Sequence, residues 1–132
     1  MRKFIVLISI LLLGGNLKAQ NITAQNAIRI ETYKSGKVRK CKINESLLIN
    51  GYNCTGWLWL YESGNIKQAT IIDSIIYGTY LIPSKSVIFF MENGLIEKLW
   101  LSKEVSFDGI KCLARNNEIE VSFYPNKKMK SC

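Results

Sequence analysis

The same hairpin-like pattern occurs four times in this chain, and the repetition limits the folds that the chain can adopt. Each copy has an alternating apolar strand, a short polar turn and a second apolar strand, with turns near residues 35–36, 63–64, 93–94 and 126–127. Tight polar turns between such strands are typical of β-hairpins, and one hairpin alone is only marginally stable in water. We therefore predict that the four copies stack side by side and bury one another.

The alternation of apolar residues predicts which side of each strand faces the core. Positions four and six places before each turn are mostly apolar, with the period of two that a half-buried strand requires. After the turn the apolar places change parity, which predicts a β-bulge in the returning strand. The predicted inward pairs are Ile30 and Thr32, Leu58 and Leu60, Ile88 and Phe90, and Val121 and Phe123.

A second glycine follows each of the first three turns, at Gly51, Gly78 and Gly109, and predicts a third short strand in each copy. In the last copy Lys127 takes the place of the turn glycine, so we expect that turn to depend on Asn126 for a positive φ. No segment after the first nineteen residues has a convincing helical face. The predicted fold is all-β, an antiparallel meander of repeated β-hairpins that forms an elongated or curled single sheet.

The first nineteen residues have the pattern of a secretory signal peptide. Arg2 and Lys3 precede an apolar run over residues 4–13, and the small side chain of Ala19 marks the expected cleavage point. The run is shorter than the about 20 residues of a membrane-spanning helix, although a retained membrane anchor is the alternative. We predict an exported protein, periplasmic, extracellular or on the cell surface, with one repeat domain over residues 20–132.

The charge distribution bears on the partners of the chain. The net charge is +8, and because three positive charges lie in the predicted signal peptide it falls to +5 after cleavage. The remaining cations concentrate at the two ends, whereas a nucleic-acid binder usually gathers them on one element, so we predict no nucleic-acid partner. The basic ends can instead make peripheral contact with an anionic envelope surface or protect the edge strands.

Four cysteines follow the predicted signal peptide, and an even number in a small exported domain predicts disulfides. We predict the pairs Cys41–Cys54, on adjacent strands, and Cys112–Cys132. In a strict meander the strand over residues 118–124 would separate the second pair, so either the segment "DGIKC" is not a full strand or the pairing differs. A zinc site made of all four thiolates is the alternative.

The acidic residues offer little catalytic chemistry. The chain has no histidine, which excludes Ser-His-Asp and Cys-His catalysis. Glu62 and Glu92 share one place before their turns, and Asp73 and Asp108 lie in connections, as solvated turn residues do. We predict no catalytic residue, no cofactor and no metal site; the alternative is a small enzyme that uses two carboxylates on an extracellular polymer.

An aromatic stripe is the candidate binding surface. Trp57, Trp59 and Tyr61 alternate on the strand face opposite to the predicted core, and Phe89 takes the place of Trp59 in the next copy. If a second layer covers this face, these side chains are core residues. If it does not, they form a platform suited to sugar rings or to a protein partner. Trp100 lies between two leucines and is expected in the core.

The stretch "GWLWLYESGNIK", residues 56–67, resembles the MORN-type repeats of bacterial proteins, including the YwqK-type antitoxin-like group. Gly56, Trp59, Tyr61 and Gly64 match the glycine, aromatic and polar-glycine places of that pattern. The resemblance implies a repetitive β-sheet used for contact, and it suggests an antitoxin-like or immunity role as one alternative. Together these features predict an exported, non-catalytic module that contacts a protein or a cell-envelope glycan.

Overall fold

The computed structural model describes residues 22–112 and 119–132, so the predicted signal peptide lies outside the described residues. The described residues form twelve strands, all paired antiparallel, and contain no helix that could cross a membrane. The predicted all-β antiparallel meander of hairpins is therefore confirmed. The strands are β1 (Ala27–Thr32), β2 (Val38–Ile49), β3 (Tyr52–Leu60), β4 (Ile66–Ile71), β5 (Ile75–Tyr77), β6 (Tyr80–Ile82), β7 (Val87–Phe90), β8 (Ile96–Leu101), β9 (Val105–Phe107), β10 (Ile110–Cys112), β11 (Ile119–Phe123) and β12 (Met129–Ser131).

Eight strands form one large sheet in the order β1-β2-β3-β4-β7-β8-β11-β12. The other four form two small hairpins, β5–β6 and β9–β10, outside the large sheet. The far ends of β2 and β3 form a third hairpin at the equivalent place in the first copy, which stays within the large sheet and follows a register shift between Ile43 and Leu47. We call these three hairpins tip hairpin 1 (residues 47–54), tip hairpin 2 (residues 75–82) and tip hairpin 3 (residues 105–112).

The tip hairpins replace the single third strands that the second glycines predicted. Asn50 and Gly51 have φ of 52° and 84°, and Asp108 and Gly109 have φ of 51° and 77°. Two consecutive residues with positive φ make a type I′ turn, which folds the chain back on itself after two residues. In tip hairpin 2 the turn residues are Gly78 and Thr79, and only Gly78 has a positive φ, of 62°. Each of the three stretches is a complete short hairpin rather than a single strand.

The core lies between the large sheet and the tip hairpins. The predicted inward pairs of the last three copies are buried, with exposures from 0% to 6%. Ile30 is 38% exposed, so the prediction is wrong in the first copy: Arg29 has φ of 51°, and the β1–β2 register shifts between Ile28 and Glu31. The tip hairpins contribute the buried side chains of Ile49, Cys54, Tyr77, Tyr80, Ile82, Phe107 and Cys112.

The four turn hairpins share one hydrogen-bond pattern. In the second copy the Gly64 amide donates to the Tyr61 carbonyl at 2.9 Å, and the Tyr61 amide donates to the Asn65 carbonyl at 2.8 Å. The equivalent residue of the last copy, Lys127, itself has φ of 67°, so the expectation that Asn126 would take the positive φ is wrong. The predicted bulge is present, as a register shift beside each turn.

One of the two predicted disulfides is formed. Cys112 and Cys132 are bonded, with Cα atoms 5.5 Å apart. This pairing is possible because β10 belongs to tip hairpin 3, so β11 does not separate the two residues. The predicted Cys41–Cys54 bridge is wrong, since both thiols are free and buried. Across the β2–β3 pair Cys41 faces Leu58, four residues along β3 from Cys54.

Candidate functional site

The two faces of the large sheet have different surroundings. The tip hairpins cover the face that carries Leu58 and Leu99, which are fully buried. The opposite face, which we call the outer face, carries the alternate residues of β3, β4, β7 and β8, and these side chains are half-buried. Among the described residues the outer face therefore remains partly accessible, although many of its side chains are apolar.

Two tryptophans form the first aromatic cluster of the outer face. The rings of Trp57 and Trp59 are tilted, with centroids 6.1 Å apart. The Lys40 Nζ lies 4.7 Å from the Trp57 ring and 4.9 Å from the Trp59 ring, and the Lys42 Nζ lies 5.9 Å from the Trp57 ring. This contact follows from the register, because Lys40 pairs with Trp59 and Lys42 with Trp57 across β2 and β3. Such cation–π contacts hold the lysines against the indoles.

A second aromatic cluster lies on β7 and β8. The rings of Phe89 and Trp100 meet edge to face at 4.9 Å, and the Lys98 Nζ lies 4.9 Å from the Phe89 ring. The Trp100 Nε1 donates a hydrogen bond to Glu120 Oε2 at 3.0 Å. Trp100 is thus on the outer face, and its predicted place in the core is wrong. The signal was its parity, because its neighbours Leu99 and Leu101 both point to the core.

Tyr61 does not join the aromatic clusters as the sequence suggested. Its hydroxyl donates to the Phe90 carbonyl at 2.8 Å, and the Tyr33 hydroxyl donates to the Leu60 carbonyl at 2.7 Å. Each tyrosine therefore ties its own turn to the next copy. Burial is the main cause that raises the pKa of Tyr61. Of the four predicted binding residues, the structure brings Trp57, Trp59 and Phe89 onto one face and assigns Tyr61 a structural contact.

Ion pairs flank the aromatic clusters at both ends of the outer face. Glu31 contacts Arg39 at 3.1 Å and Lys40 at 3.9 Å, and Glu120 contacts Lys98 at 3.9 Å. These groups are substantially solvent-exposed, so each pair adds little to stability. The outer face therefore combines an aromatic centre with a border that carries both signs of charge.

The acidic residues of the turns and connections are not gathered into a site. Glu62 and Glu92 are exposed in separate turns. Asp73 accepts a hydrogen bond from Asn53 at 3.4 Å, and Asp108 accepts one from the Tyr80 hydroxyl at 2.5 Å. Within residues 22–112 and 119–132, no group of three or more Cys, Asp or Glu side chains is placed to hold a metal ion.

A groove of about 410 Å³ lies at the turn edge of the sheet, on the side of the tip hairpins. The Tyr52 ring contacts the Phe90 ring there, with centroids 5.2 Å apart, and burial raises the pKa of Tyr52. None of the lining residues is charged. No single sequence motif indicates this groove, because its lining comes from three separate turns. The lining residues are Asn50, Tyr52, Asn65, Ile66, Phe90, Asn93 and Gly94.

Comparison of the chain with models of known families, with curated proteins and with solved structures finds no match. The resemblance of residues 56–67 to MORN-type repeats therefore stays a prediction. The function must be inferred from the outer face and the groove themselves.

Proposed function

We propose that the protein is an exported, non-catalytic binding module whose outer face contacts a partner protein. The observation that supports this proposal is the grouping of Trp57, Trp59, Phe89 and Trp100 on one half-buried sheet face. Buried tryptophan side chains provide a large share of the binding energy at protein interfaces, and a polar rim that excludes water surrounds such centres. The mixed charges at the border of the outer face suit that rim.

The lysines favour a protein partner over a glycan at the outer face. Lys40 lies against both indole rings, so a sugar ring that stacks there must first displace its ammonium group. A protein partner can instead pair its own carboxylates with Lys40 and Lys42 and leave them in place. If that partner is attached to the cell envelope, binding to it brings this protein into peripheral contact with the envelope.

Export is supported by the Cys112–Cys132 disulfide, because disulfides form and persist in oxidising compartments. The sequence pattern of residues 1–19 supports the same address. An intact-mass measurement on protein from the exported fraction tests this part directly. A chain that begins at Gln20 and lacks two hydrogens, because it has one disulfide, is the expected result; a chain that retains residues 1–19 contradicts it.

The partner contact is tested with two matched double variants. Trp57→Ala with Trp59→Ala truncates the outer face, whereas Ile76→Ala with Leu81→Ala truncates two side chains that are 75% and 58% exposed on tip hairpin 2. Proteins from the exported fraction that bind the immobilised wild type and the tip variant, but not the tryptophan variant, are the expected partners. With a purified partner, loss of the two indoles should weaken binding about 30-fold or more, as hot-spot residues do.

Two results would overturn the proposed function. In one, no protein distinguishes the two variants although both are folded by circular dichroism. In the other, the tryptophan fluorescence of the wild type responds to envelope glycans and not to any protein, which moves the outer face to glycan binding.

A further inference from the structure

The groove at the turn edge has a closed counterpart in the next copy. In tip hairpin 2 the Tyr77 hydroxyl accepts a hydrogen bond from the Ile96 amide at 3.1 Å. The Tyr80 hydroxyl accepts one from the Met129 amide at 3.0 Å. Ile96 and Met129 each lie two residues after the turn residue with positive φ, Gly94 or Lys127. In the last two copies, therefore, a tyrosine hydroxyl of the protein accepts a hydrogen bond from the backbone amide at this position.

The tip of tip hairpin 2 also closes the space above the last turn. A Cβ atom added to Gly78, the first turn residue of tip hairpin 2, would lie 3.4 Å from the Cβ of Lys127. The equivalent turn residue of tip hairpin 1 is Asn50. The Lys127 Nζ lies 5.5 Å from the Tyr77 ring and completes the contact. Tip hairpin 2 is therefore seated on the last turn.

Two residue differences leave the equivalent place open under tip hairpin 1. Ile49, paired with Tyr52, takes the place of Tyr77 and has no hydroxyl. Gly94 takes the place of Lys127 in the turn and has no side chain. Ile66 takes the place of Ile96, and within the described ranges no side chain accepts a hydrogen bond from its amide. The groove lies at this point, lined by Ile66 and Gly94.

The lining of the groove selects a neutral, hydroxyl-rich ligand. Asn50, Asn65 and Asn93 line it from three turns, and a carboxamide carries both donors and acceptors. The Asn65 Nδ2 already donates to the Glu92 carbonyl at 2.8 Å, so Asn50 and Asn93 are the candidate ligand groups. Asn93 already accepts from the Leu95 amide at 3.0 Å through Oδ1, which keeps its NH₂ group for a ligand. A charged ligand would lose water there without meeting an opposite charge. The volume suits a small-molecule site of roughly 300 to 1,000 Å³.

We propose that this groove binds one pyranose unit of a neutral glycan. A sugar hydroxyl accepts the Ile66 N–H in the place of the tyrosine hydroxyl of the next copy, the Asn50 and Asn93 carboxamides bond further hydroxyls, and the Tyr52 ring lies against the sugar. The site is separate from the outer face, because it lies on the tip-hairpin side of the sheet. It adds a glycan-binding activity to the contact with a partner protein.

The test is an NMR titration of the full-length mature protein, labelled with ¹⁵N, with maltose and cellobiose as neutral probes and glucuronate as the charged one. Saturable shifts of the Ile66 amide and of the Asn50 and Asn93 side-chain amides with a neutral disaccharide, and not with glucuronate, are the expected result. Absence of saturable shifts at these amides, or equal shifts with glucuronate, would overturn the site.

Two variants introduce into the groove the side chains that fill the equivalent space under tip hairpin 2. Ile49→Tyr supplies the missing hydroxyl, and Gly94→Lys supplies the missing side chain; each should reduce the disaccharide affinity at least about tenfold, a change of about 1.4 kcal/mol. Gly36→Lys makes the same change in the first turn, outside the groove lining, and should leave the affinity unchanged. Gly94→Lys lies in an exposed turn, so it keeps the test valid if Ile49→Tyr fails to fold.

The outcomes separate this inference from the proposed function. If sugar shifts occur only at the Trp57 and Trp59 indoles, the groove proposal fails and the outer face becomes the glycan site. If folded Gly94→Lys binds disaccharide as well as Gly36→Lys does, the groove is not the site. If the groove binds sugar but no protein distinguishes the outer-face variants, the groove proposal stands and the partner contact fails.

Discussion

At the scale of single residues, the buried thiols of Cys41, on β2, and of Cys54, in tip hairpin 1, are held in their neutral form. Cys41 and Cys54 are fully buried, and burial raises the pKa of both. For Cys54 the pKa rises from 9.0 to about 12. Because only the thiolate reacts with electrophiles or binds metals readily, both residues should behave as small apolar core residues.

The raised pKa of Cys54 predicts a loss of stability in alkali. The unfolded thiol releases its proton near 9.0, whereas the folded thiol keeps it to about 12. Below pH 9 the thiol is protonated in both states, so the pKa difference does not change the stability. Above pH 9 only the unfolded state loses the proton, and the free energy of unfolding should fall by up to about 1.4 kcal/mol per pH unit. Urea unfolding of the wild type and of Cys54→Ala between pH 8 and about 10.5 measures the difference. Parallel stability curves for the two proteins would contradict the prediction.

The burial of a single residue can be predicted from the sequence where the strand alternates strictly between core-facing and outward-facing side chains. Leu58, Leu60, Ile88 and Phe90 follow the period of two and are buried as predicted. Trp100 has apolar neighbours on both sides, but it alternates with the buried Leu99 and Leu101 and therefore points to the outer face. The burial of Tyr61 against the Phe90 carbonyl depends on the next copy and has no signal within its own strand.

At the scale of elements, the turn hairpins depend on one residue with positive φ. Gly36 has φ of 89° in the first turn, and a Cβ atom added there would meet nothing within 4 Å. The cost of a side chain at this position is therefore a cost of backbone conformation alone. An L-residue in the left-handed region costs roughly 1–2 kcal/mol, and asparagine costs less than other residues.

Gly36→Ala should lower the free energy of unfolding by roughly 1 kcal/mol, and Gly36→Asn should lower it by less. Urea denaturation of both variants beside the wild type measures the two losses. The comparison is sensitive because both side chains fit sterically. Equal losses for alanine and asparagine would show that a clash, and not the positive φ, sets the cost.

The tip hairpins are the elements that the sequence predicted incompletely. Their strands are only three residues long in β5, β6, β9 and β10, too short for an alternating pattern to separate two strands from one. A positive φ at the first turn residue, Asn50, Gly78 or Asp108, turned each predicted strand into a hairpin. The Cys41–Cys54 prediction failed because the chain turns at Asn50 and Gly51, which places Cys54 opposite Leu47 and Cys41 opposite Leu58.

At the scale of the whole molecule, the disulfide ties tip hairpin 3 to the last residue of the chain. Cys112 and Cys132 are 20 residues apart in sequence. A crosslink across a loop of this size stabilises the folded state by about 3 kcal/mol, mainly by restricting the unfolded chain. It also joins the last tip hairpin to the edge of the large sheet, where β12 has a neighbour on one side only.

Reduction of the native protein, or Cys112→Ala with Cys132→Ala, should lower the free energy of unfolding by roughly 2–4 kcal/mol. Hydrogen exchange should show the amides of β9 to β12 losing protection while those of β3 and β4 keep it. Reductant should have no further effect on the double variant. Uniform loss of protection through all strands would contradict this local effect.

The neighbours in the large sheet follow chain order throughout, since the strand sequence β1-β2-β3-β4-β7-β8-β11-β12 never reverses. The next strand of the large sheet to be synthesised therefore pairs with the free edge of the hairpin before it. No strand of the large sheet pairs with one that is distant in the chain order of that sheet. Such local pairing lowers the contact order and favours rapid folding. A chain of this kind can fold vectorially as it leaves a narrow pore, and every hairpin completed on the far side opposes backward sliding of the chain.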